Sequence, residues 1–276
     1  MIKYNNKTIN KLEYNASEVK KMYYDSDVCY GGDGGSTPTP HLPDNYVIEF
    51  EDSNVKSLCV TNWGGNVVTG ELTYGEAKQV TSLGTVFKNK TNITKFNELV
   101  YFTGLTELKN GEFAGCTNLL EIVIPSNLTV LDGEQYANRA IFSGCTNLSA
   151  ITFISDSSTT MTIGSTSNNN SYYMKSNHSS TPMVFPNRPL IFTTGTFGYC
   201  DNLQYAYFQY PTPPENLANS DINNYNKLKY VFCPVGSLSA YQTALAGKNK
   251  NISEYDFETD PNGILNREKY WSAKVY

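Results

Sequence analysis

A pattern of thirteen positions, F-x-G-C-x-N-L-x-x-I-x-I-P, recurs along the chain and sets the strongest limit on its fold. FAGCTNL at 113–119 and FSGCTNL at 142–148 differ at one position and begin 29 residues apart. The pattern is filled by Phe113, Cys116, Leu119, Ile122 and Ile124, then by Phe142, Cys145, Leu148, Ile151 and Phe153, and again by Phe197, Cys200, Leu203 and Phe208. Apolar residues that return at this spacing predict units that bury their faces only against their neighbours, as in a β-rich solenoid.

Two weaker copies flank the three strong ones. Phe102, Leu105 and Leu108 precede them, and a segment with Leu228, Val231 and Cys233 follows them. In the second weak copy Tyr225 stands where the cysteine would be. We interpret both segments as degenerate turns of the same solenoid.

The repeated cysteine is predicted to be a buried packing residue. Its position tolerates an aromatic side chain in the weak copy, whereas a nucleophile could not be replaced in this way. The chain has no C-x-x-C motif and two histidines, His41 and His178, so it offers neither a zinc pattern nor a cysteine–histidine pair. A buried free cysteine behaves as a small apolar residue. We therefore expect Cys116, Cys145 and Cys200 to be reduced and inert.

Together these motifs resemble the BspA-like leucine-rich repeats of gut and oral bacteria, their phages and some protists. The resemblance covers roughly residues 46–256, including FEDSNVKSLCVTNW, similar to a helical cap, and LKYVFCPVGSLSAYQTAL, similar to the closing unit of the family. It implies a solenoid with a ladder of short strands that serves adhesion or acts as a spacer, without catalytic residues. The expected fold class is therefore a β-rich α/β solenoid with a helix-loop-helix cap at its amino-terminal end and a small β anchor module.

Composition divides the chain into five segments. They are a β-hairpin-repeat anchor at 1–30, a Gly/Pro linker at 31–45, the helix-loop-helix cap at 46–98, the solenoid at 99–253 with an insertion at 155–196, and an acidic, aromatic tail at 254–276.

Capping residues predict helices in the cap and in the closing unit. Ser53 is predicted as the N-cap of the first helix, and Thr73 with Glu76 forms a capping box at the second. The loop between them has the length of an EF-hand loop but lacks most of its carboxylates, so calcium binding is not expected. In the closing unit a helix is predicted from Leu238 to Ala246, with Ser237 as N-cap.

Residues 1–30 repeat with a period of ten. Their regularly spaced apolar residues are Tyr4, Ile9, Leu12, Tyr14, Val19, Met22 and Tyr24. Stacked hairpins are expected, and a module this small buries little surface on its own. We expect it to dock on another chain or on further copies of itself. A self-contained β-meander is the alternative.

Two further segments could bind a ligand. The insertion at 155–196 carries Tyr172, Tyr173 and His178, and loops on a repeat scaffold are common binding sites. A variable loop without function is the competing interpretation. In the tail, Glu254, Asp256, Glu258 and Asp260 would share one face of an extended strand, and a solvated face is favoured there over a cation site.

The net charge and the absence of several sequence motifs limit the function classes that the sequence favours. A net charge of −5 does not favour nucleic acid, and the sequence lacks an apolar signal region, a membrane-spanning run, a nucleotide loop and a hydrolase motif. No enzyme activity, cofactor, metal or membrane partner is expected. Because the first residues resemble virion-associated proteins of Bacteroidetes phages, the leading hypothesis is a homo-oligomeric virion component that binds a host-surface glycan or protein. A bacterial surface or interaction protein is the alternative, and a carbohydrate-active enzyme hidden in the insertion is a third hypothesis.

Overall fold

A computed structural model of the chain separates Met1–Tyr46 with Asn266–Tyr276 from a second unit, Val47–Leu265. Side chains are described for residues 42–65, 70–109, 111–131, 141–149, 151–154, 159–164, 183–193, 196, 204–219 and 228–262. For Ala150 and for the five amino-terminal strands only the backbone is described.

The first unit contains the hairpins predicted for residues 1–30. Strand β1 (Lys3–Tyr4) pairs antiparallel with β2 (Lys7–Thr8). A three-stranded antiparallel sheet has the order β3 (Lys11–Asn15), β4 (Glu18–Tyr24) and β5 (Asp27–Gly31). Ile9 lies outside the described residues, and the side chains of the other anchor positions are not described, so their docking role stays a prediction.

The second unit is a solenoid of short parallel strands, as the repeat predicted. Its strands are β6 (Lys95–Phe96), β7 (Glu107–Leu108), β8 (Glu121–Ile124), β9 (Val130–Leu131), β10 (Ala150–Phe153), β11 (Met161–Ile163), β12 (Met183–Phe185), β13 (Leu190–Phe192), β14 (Tyr205–Phe208), β15 (Tyr230–Pro234) and β16 (Asn251–Tyr255). They form parallel sheets in the orders β10-β8-β6, β13-β11-β9-β7 and β12-β14-β15-β16. Strands of the first two sheets alternate along the chain, so each turn gives one strand to either sheet.

The core is a column of aromatic and aliphatic side chains along the solenoid axis. Phe113 stacks on Phe87 with ring centroids 5.3 Å apart, and on Phe142 at 5.7 Å. On the strands, Ile122 of β8 pairs in register with Phe96 and with Ile151. Parallel pairing in this register places the same repeat positions side by side at every turn. Because side chains alternate between the two faces of a strand, these positions also lie on the same face.

A copy of the repeat that the sequence analysis missed precedes the first strong one. In FKNKTNITKF at 87–96, Phe87 and Ile93 occupy the positions of Phe113 and Leu119, and Lys90 replaces the cysteine. Asn89 has φ of 59°, close to the 78° of Gly115 at the equivalent position. Asparagine is among the few residues other than glycine that tolerate this conformation, which was the available signal.

The weak copy assigned to Phe102, Leu105 and Leu108 is not a separate turn, and that prediction was wrong. Leu108 in β7 pairs with Leu131 in β9, so these residues form the second half of the turn that begins at Phe87. The later weak copy is in register with the third strong one, since Val231 of β15 pairs with Ala206 of β14. In that third copy Phe208 is buried, whereas Phe197, Cys200 and Leu203 lie outside the described residues.

The predicted insertion at 155–196 is in part a turn of the solenoid. It contains β11, β12 and β13, and β11 lies between β9 and β13 in one sheet. Phe185 of β12 stacks on Phe153 of β10 at 6.4 Å, continuing the inner column. Interpreting the whole segment as a loop was therefore wrong. Tyr172, Tyr173 and His178 lie outside the described residues.

Three α-helices are described, and two of their predicted ends need correction. Helix α1 (Ser53–Trp63) is capped by Asp52 rather than Ser53, and α2 (Tyr74–Ala77) has the predicted capping box. Helix α3 (Leu238–Ala244) ends before Ala246, and the Ser237 hydroxyl makes no capping hydrogen bond. Short 3-10 helices span Asn97–Tyr101 and Leu217–Asn219. Among the described residues, none of the helices has the length and apolar character needed to cross a membrane.

Candidate functional site

The cysteine column connects successive turns of the solenoid. The Cys116 thiol donates to the Phe87 carbonyl and the Cys145 thiol to the Phe113 carbonyl, both at 3.0 Å. Both side chains are fully buried. Hydrogen bonding with Cys116, together with burial, raises the pKa of the Cys145 thiol. A neutral buried donor of this kind suits a packing role and does not provide a thiolate for catalysis.

A row of asparagines runs along the exposed side of the same turns. The Asn118 amide donates to the Thr91 carbonyl at 2.8 Å, and the Asn147 amide donates to Asn118 Oδ1 at 3.3 Å. At the start of the row, Asn92 donates to Asn54 Oδ1 of helix α1. The repeated spacing of Asn in C-x-N-L was visible in the sequence, but the exposure of its side chain was not. This row presents amides to solvent at regular intervals.

Asp52 joins helix α1 to the first strand of the solenoid. Its carboxylate accepts hydrogen bonds from Asn54 N at 2.8 Å, Val55 N at 3.4 Å, Thr94 N at 2.6 Å, Thr94 Oγ1 at 2.8 Å and Lys95 N at 3.4 Å. Burial alone would raise the pKa of Asp52, but these hydrogen bonds outweigh it and hold the pKa below its ordinary value. The sequence pattern showed a capping residue at the correct helix end and missed the link to Thr94.

Glu112 is a second buried carboxylate that joins two loops. It accepts from Leu83 N at 3.2 Å and from Lys109 N at 3.1 Å and is 2% exposed. Burial raises the pKa of Glu112 to about 7, against the opposing effect of these donors. Because both donors are backbone N–H groups of different loops, Glu112 fits the role of a structural clamp.

Arg188 is fully buried at a corner of the solenoid. Its guanidinium donates to the carbonyls of Thr159, Ser126 and Leu128 at 2.8, 2.9 and 3.0 Å. Asn127 similarly donates to the Leu105 carbonyl at the preceding corner. Burial lowers the pKa of Arg188. Polar side chains at these corners therefore satisfy carbonyls of neighbouring turns.

The outer face of the β14–β15 sheet carries stacked aromatic rings. Tyr205 stacks on Tyr230 at 5.0 Å with an interplanar angle of 11°, and Tyr207 on Phe232 at 4.3 Å and 10°. Tyr255 closes over Tyr207 edge-on at 5.1 Å. Stacking covers one face of each ring, and Tyr207 is 4% exposed, so these aromatic rings pack mainly on one another.

The two positions considered, and not favoured, as cation sites in the sequence make hydrogen bonds within the chain. Glu76 accepts from Thr73 N and from Gly65 N, and the bond from Thr73 lowers the pKa of Glu76. The sequence pattern predicts an extended strand through Asp260, but the strand ends at Tyr255. A turn follows, in which Asp256 accepts from Glu258 N at 2.9 Å. Among the described residues no group of three His, Cys, Asp or Glu side chains could hold a metal ion.

The described polar groups of the solenoid thus act mainly on the chain itself. The thiols, Asn127 and Arg188 donate to carbonyls of neighbouring turns, and Asp52 and Glu112 accept from backbone N–H groups. Among the described residues, the amide row is exposed as well as hydrogen-bonded within the chain, and strand β16 is at a sheet edge. Comparison with known proteins identifies no matching protein family, no matching curated protein and no matching solved structure.

Proposed function

We propose that this protein is a non-enzymatic structural and adhesive component of a phage particle, in which residues 1–30 form the anchor and a BspA-like leucine-rich repeat solenoid displays a recognition surface. The observation that carries the proposal is that buried polar side chains hydrogen-bond to the protein's own backbone. Cys116, Cys145 and Arg188 all donate to backbone carbonyls, which favours a scaffold over a reaction centre. Repeats of this kind build long, regular binding surfaces from nearest-neighbour contacts.

The cap was predicted at 46–98, but its last residues, from Phe87, already form the first turn, so in this proposal the residues before Phe87 are the amino-terminal cap of the solenoid. The support is the contact between Asp52 and the N–H groups of Thr94 and Lys95, which belong to the first turn. Trp63 of α1 also packs edge-on against Phe102 with ring centroids 5.5 Å apart. A terminal cap of this type covers apolar and hydrogen-bonding edges that would otherwise be exposed.

The ligand is proposed to be a host-surface glycan or protein. The exposed row of Asn92, Asn118 and Asn147 offers amide donors and acceptors at successive turns, which suits recognition of a repeating polar ligand. The insertion residues Tyr172, Tyr173 and His178 are a second proposed contact region.

The anchor proposal is tested with the full-length chain and a chain of residues 44–276. This truncation is close to the boundary between the two units, at Tyr46 and Val47, so the second unit should remain intact. We expect only the full-length protein to co-purify with the particle. A full-length Tyr4→Ser/Tyr14→Ser/Tyr24→Ser variant should behave like the truncation.

Asn5→Ser/Asn15→Ser is the matched control, because it changes the residues next to Tyr4 and Tyr14 in the sequence without removing apolar side chains. Equal co-purification of the truncated and intact proteins would contradict the anchor role and assign the contact to the solenoid. Binding of both forms to bacterial cells, with neither on the particle, would favour the alternative of a bacterial surface protein.

A further inference from the structure

Strand β16 is one of the two edge strands of the described sheet β12-β14-β15-β16. Strand β16 pairs with β15 on one side, and no described strand lies on its other side. Asn251 N donates to the Lys229 carbonyl and the Ser253 carbonyl accepts from the Cys233 thiol, so these two residues direct their backbone toward β15. In a strand the intervening residues face the opposite way. Ile252 and Glu254 therefore direct their N–H and carbonyl groups away from the sheet.

The first strand of the solenoid differs from the last. At β6 the N–H groups of Thr94 and Lys95 donate hydrogen bonds to the Asp52 carboxylate. Head-to-tail stacking of copies would need an open edge at both ends of the solenoid. Pairing of two identical β16 edges, in contrast, gives a closed dimer and not a filament.

The sequence of β16 is charge-complementary to itself in one antiparallel register. If Ile252 faces Ile252 of a second copy, Lys250 lies opposite Glu254 twice, and Asn251 lies opposite Ser253 twice. Within β16 the facing residues Ile252 and Glu254 have outward-directed backbone groups, so this register also forms paired hydrogen bonds at Ile252, and Lys250 directly precedes the strand. Shifting the pairing to centre on Ser253 places Lys250 opposite Asp256 but sets Ile252 opposite Glu254, so it loses the apolar Ile252 pair. The register centred on Ile252 keeps both the apolar pair and the opposite charges.

The side chains at this edge are accessible enough to make these contacts. Asn251, Ser253 and Glu254 are exposed and Ile252 is half-buried. Lys250 Nζ donates to the Leu228 carbonyl at 2.6 Å, and Glu254 Oε1 accepts from Gly236 N at 2.8 Å. An ammonium has further donors and a carboxylate a second oxygen, so both can add a partner without losing these bonds. Charges on an edge strand also discourage pairing with unmatched strands.

We propose that β16 is a dimerisation edge at which two copies of this chain pair antiparallel about Ile252, with reciprocal Lys250–Glu254 contacts. The partner is a second copy of the same protein, and the dimer continues the sheet across a two-fold axis. This inference concerns the second unit alone and does not depend on the proposed anchor at residues 1–30.

The first test measures the mass of the full chain by sedimentation velocity or light scattering over a concentration series. The wild-type chain should be dimeric, and Ile252→Pro should be monomeric because it removes an outward N–H group. Ile252→Val is the matched control and should remain dimeric, since it keeps that N–H. A wild-type chain that stays monomeric at its highest soluble concentration overturns the proposal.

The second test exchanges the charges. Glu254→Lys and Lys250→Glu should each raise the dimer dissociation constant by roughly 10- to 100-fold, because each creates two like-charge pairs. An equimolar mixture of these two variants should form a heterodimer, in which both pairs are again opposite in charge. Thermal unfolding of each variant checks that the fold is retained.

Self-association through residues 1–30 would respond differently. It would leave the mass unchanged in all the β16 variants, and that result overturns the proposal. Failure of the mixed variants to associate, when each alone is folded and monomeric, overturns the register. The charge exchange gives a result even if Ile252→Pro does not fold.

Discussion

Replacing Asp52 by alanine should destabilise the second unit more than any other single polar substitution near helix α1. The carboxylate is 6% exposed and accepts from helix α1 and from Thr94 and Lys95. Loss of an N-cap costs about 1 kcal/mol, and each buried donor left without an acceptor costs a further 1–3 kcal/mol, roughly. Because water can enter part of the vacated space, we expect a total loss of about 3 kcal/mol in the free energy of unfolding.

The assay is urea unfolding followed by circular dichroism, with Ser53→Ala as the matched control. Ser53 is the neighbouring residue that sequence patterns favoured as the cap, and its exposed hydroxyl should be worth less than about 0.5 kcal/mol. Asp52→Asn keeps one acceptor oxygen but turns an NH₂ group toward donors, so it should fall between the two. Equal stability of Asp52→Ala and Ser53→Ala would refute the role of Asp52 as a link between α1 and the first turn.

The pH dependence gives an independent check. The pKa of Asp52 is held below its ordinary value of 3.8, so the folded state binds its proton less readily than the unfolded chain. The stabilisation is therefore complete above that value and is lost as the pH falls through the lower folded pKa. The stability difference between the wild type and Asp52→Ala should shrink over the same range.

Three other substitutions test the remaining buried groups. Glu112 has a folded pKa of about 7 against an ordinary 4.5, so the free energy of unfolding should fall by up to ~3 kcal/mol as the pH rises between these values. Glu112→Gln should remove this pH dependence in urea unfolding, and an unchanged pH dependence would contradict the assignment. Cys145→Ser should lower stability by roughly 1–3 kcal/mol, because it places a hydroxyl in an apolar column, and rapid maleimide labelling of Cys116 and Cys145 in the folded protein would refute their burial. Gly115→Ala should cost more than Gly144→Ala, although both glycines have positive φ, since the new Cβ would meet Asn89 Oδ1 and, at 3.3 Å, the Asn89 Cα in the first case and nothing closer than 3.7 Å in the second. Equal losses of stability would show that backbone strain alone decides.

Repeat spacing predicted the solenoid because the apolar positions recur in register, and register determines which side chains meet. Phe113, Cys116 and Ile122 lie in the inner column as their spacing requires. The turn formed by β11, β12 and β13 was not predicted, because its strands are three residues long and lie in a Ser-, Thr- and Asn-rich segment without the cysteine motif. Short strands are determined by pairing with neighbours, and pairing is not visible in a local pattern.

Side-chain links between distant segments were also beyond the sequence pattern. Asp52 and Thr94 are 42 residues apart, and no periodicity relates them. Similarly, Arg188 reaches Ser126 across 62 residues. A charged residue in a polar loop is usually solvated, so full burial of Arg188 could not be expected from its neighbours in sequence.

The direction of the hydrogen bonds in the cysteine column bears on how such a chain changes length during evolution. Each thiol donates to a carbonyl of the turn before it, so this contact requires only a preceding turn of the same geometry. Duplication of one cysteine repeat would therefore preserve the contact along the column, whereas a repeat inserted between Ser126 and Arg188 would break their hydrogen bond. Recombination could alter the reach of the molecule in steps of one turn while the first and last strands, and whatever they bind, keep their own sequences.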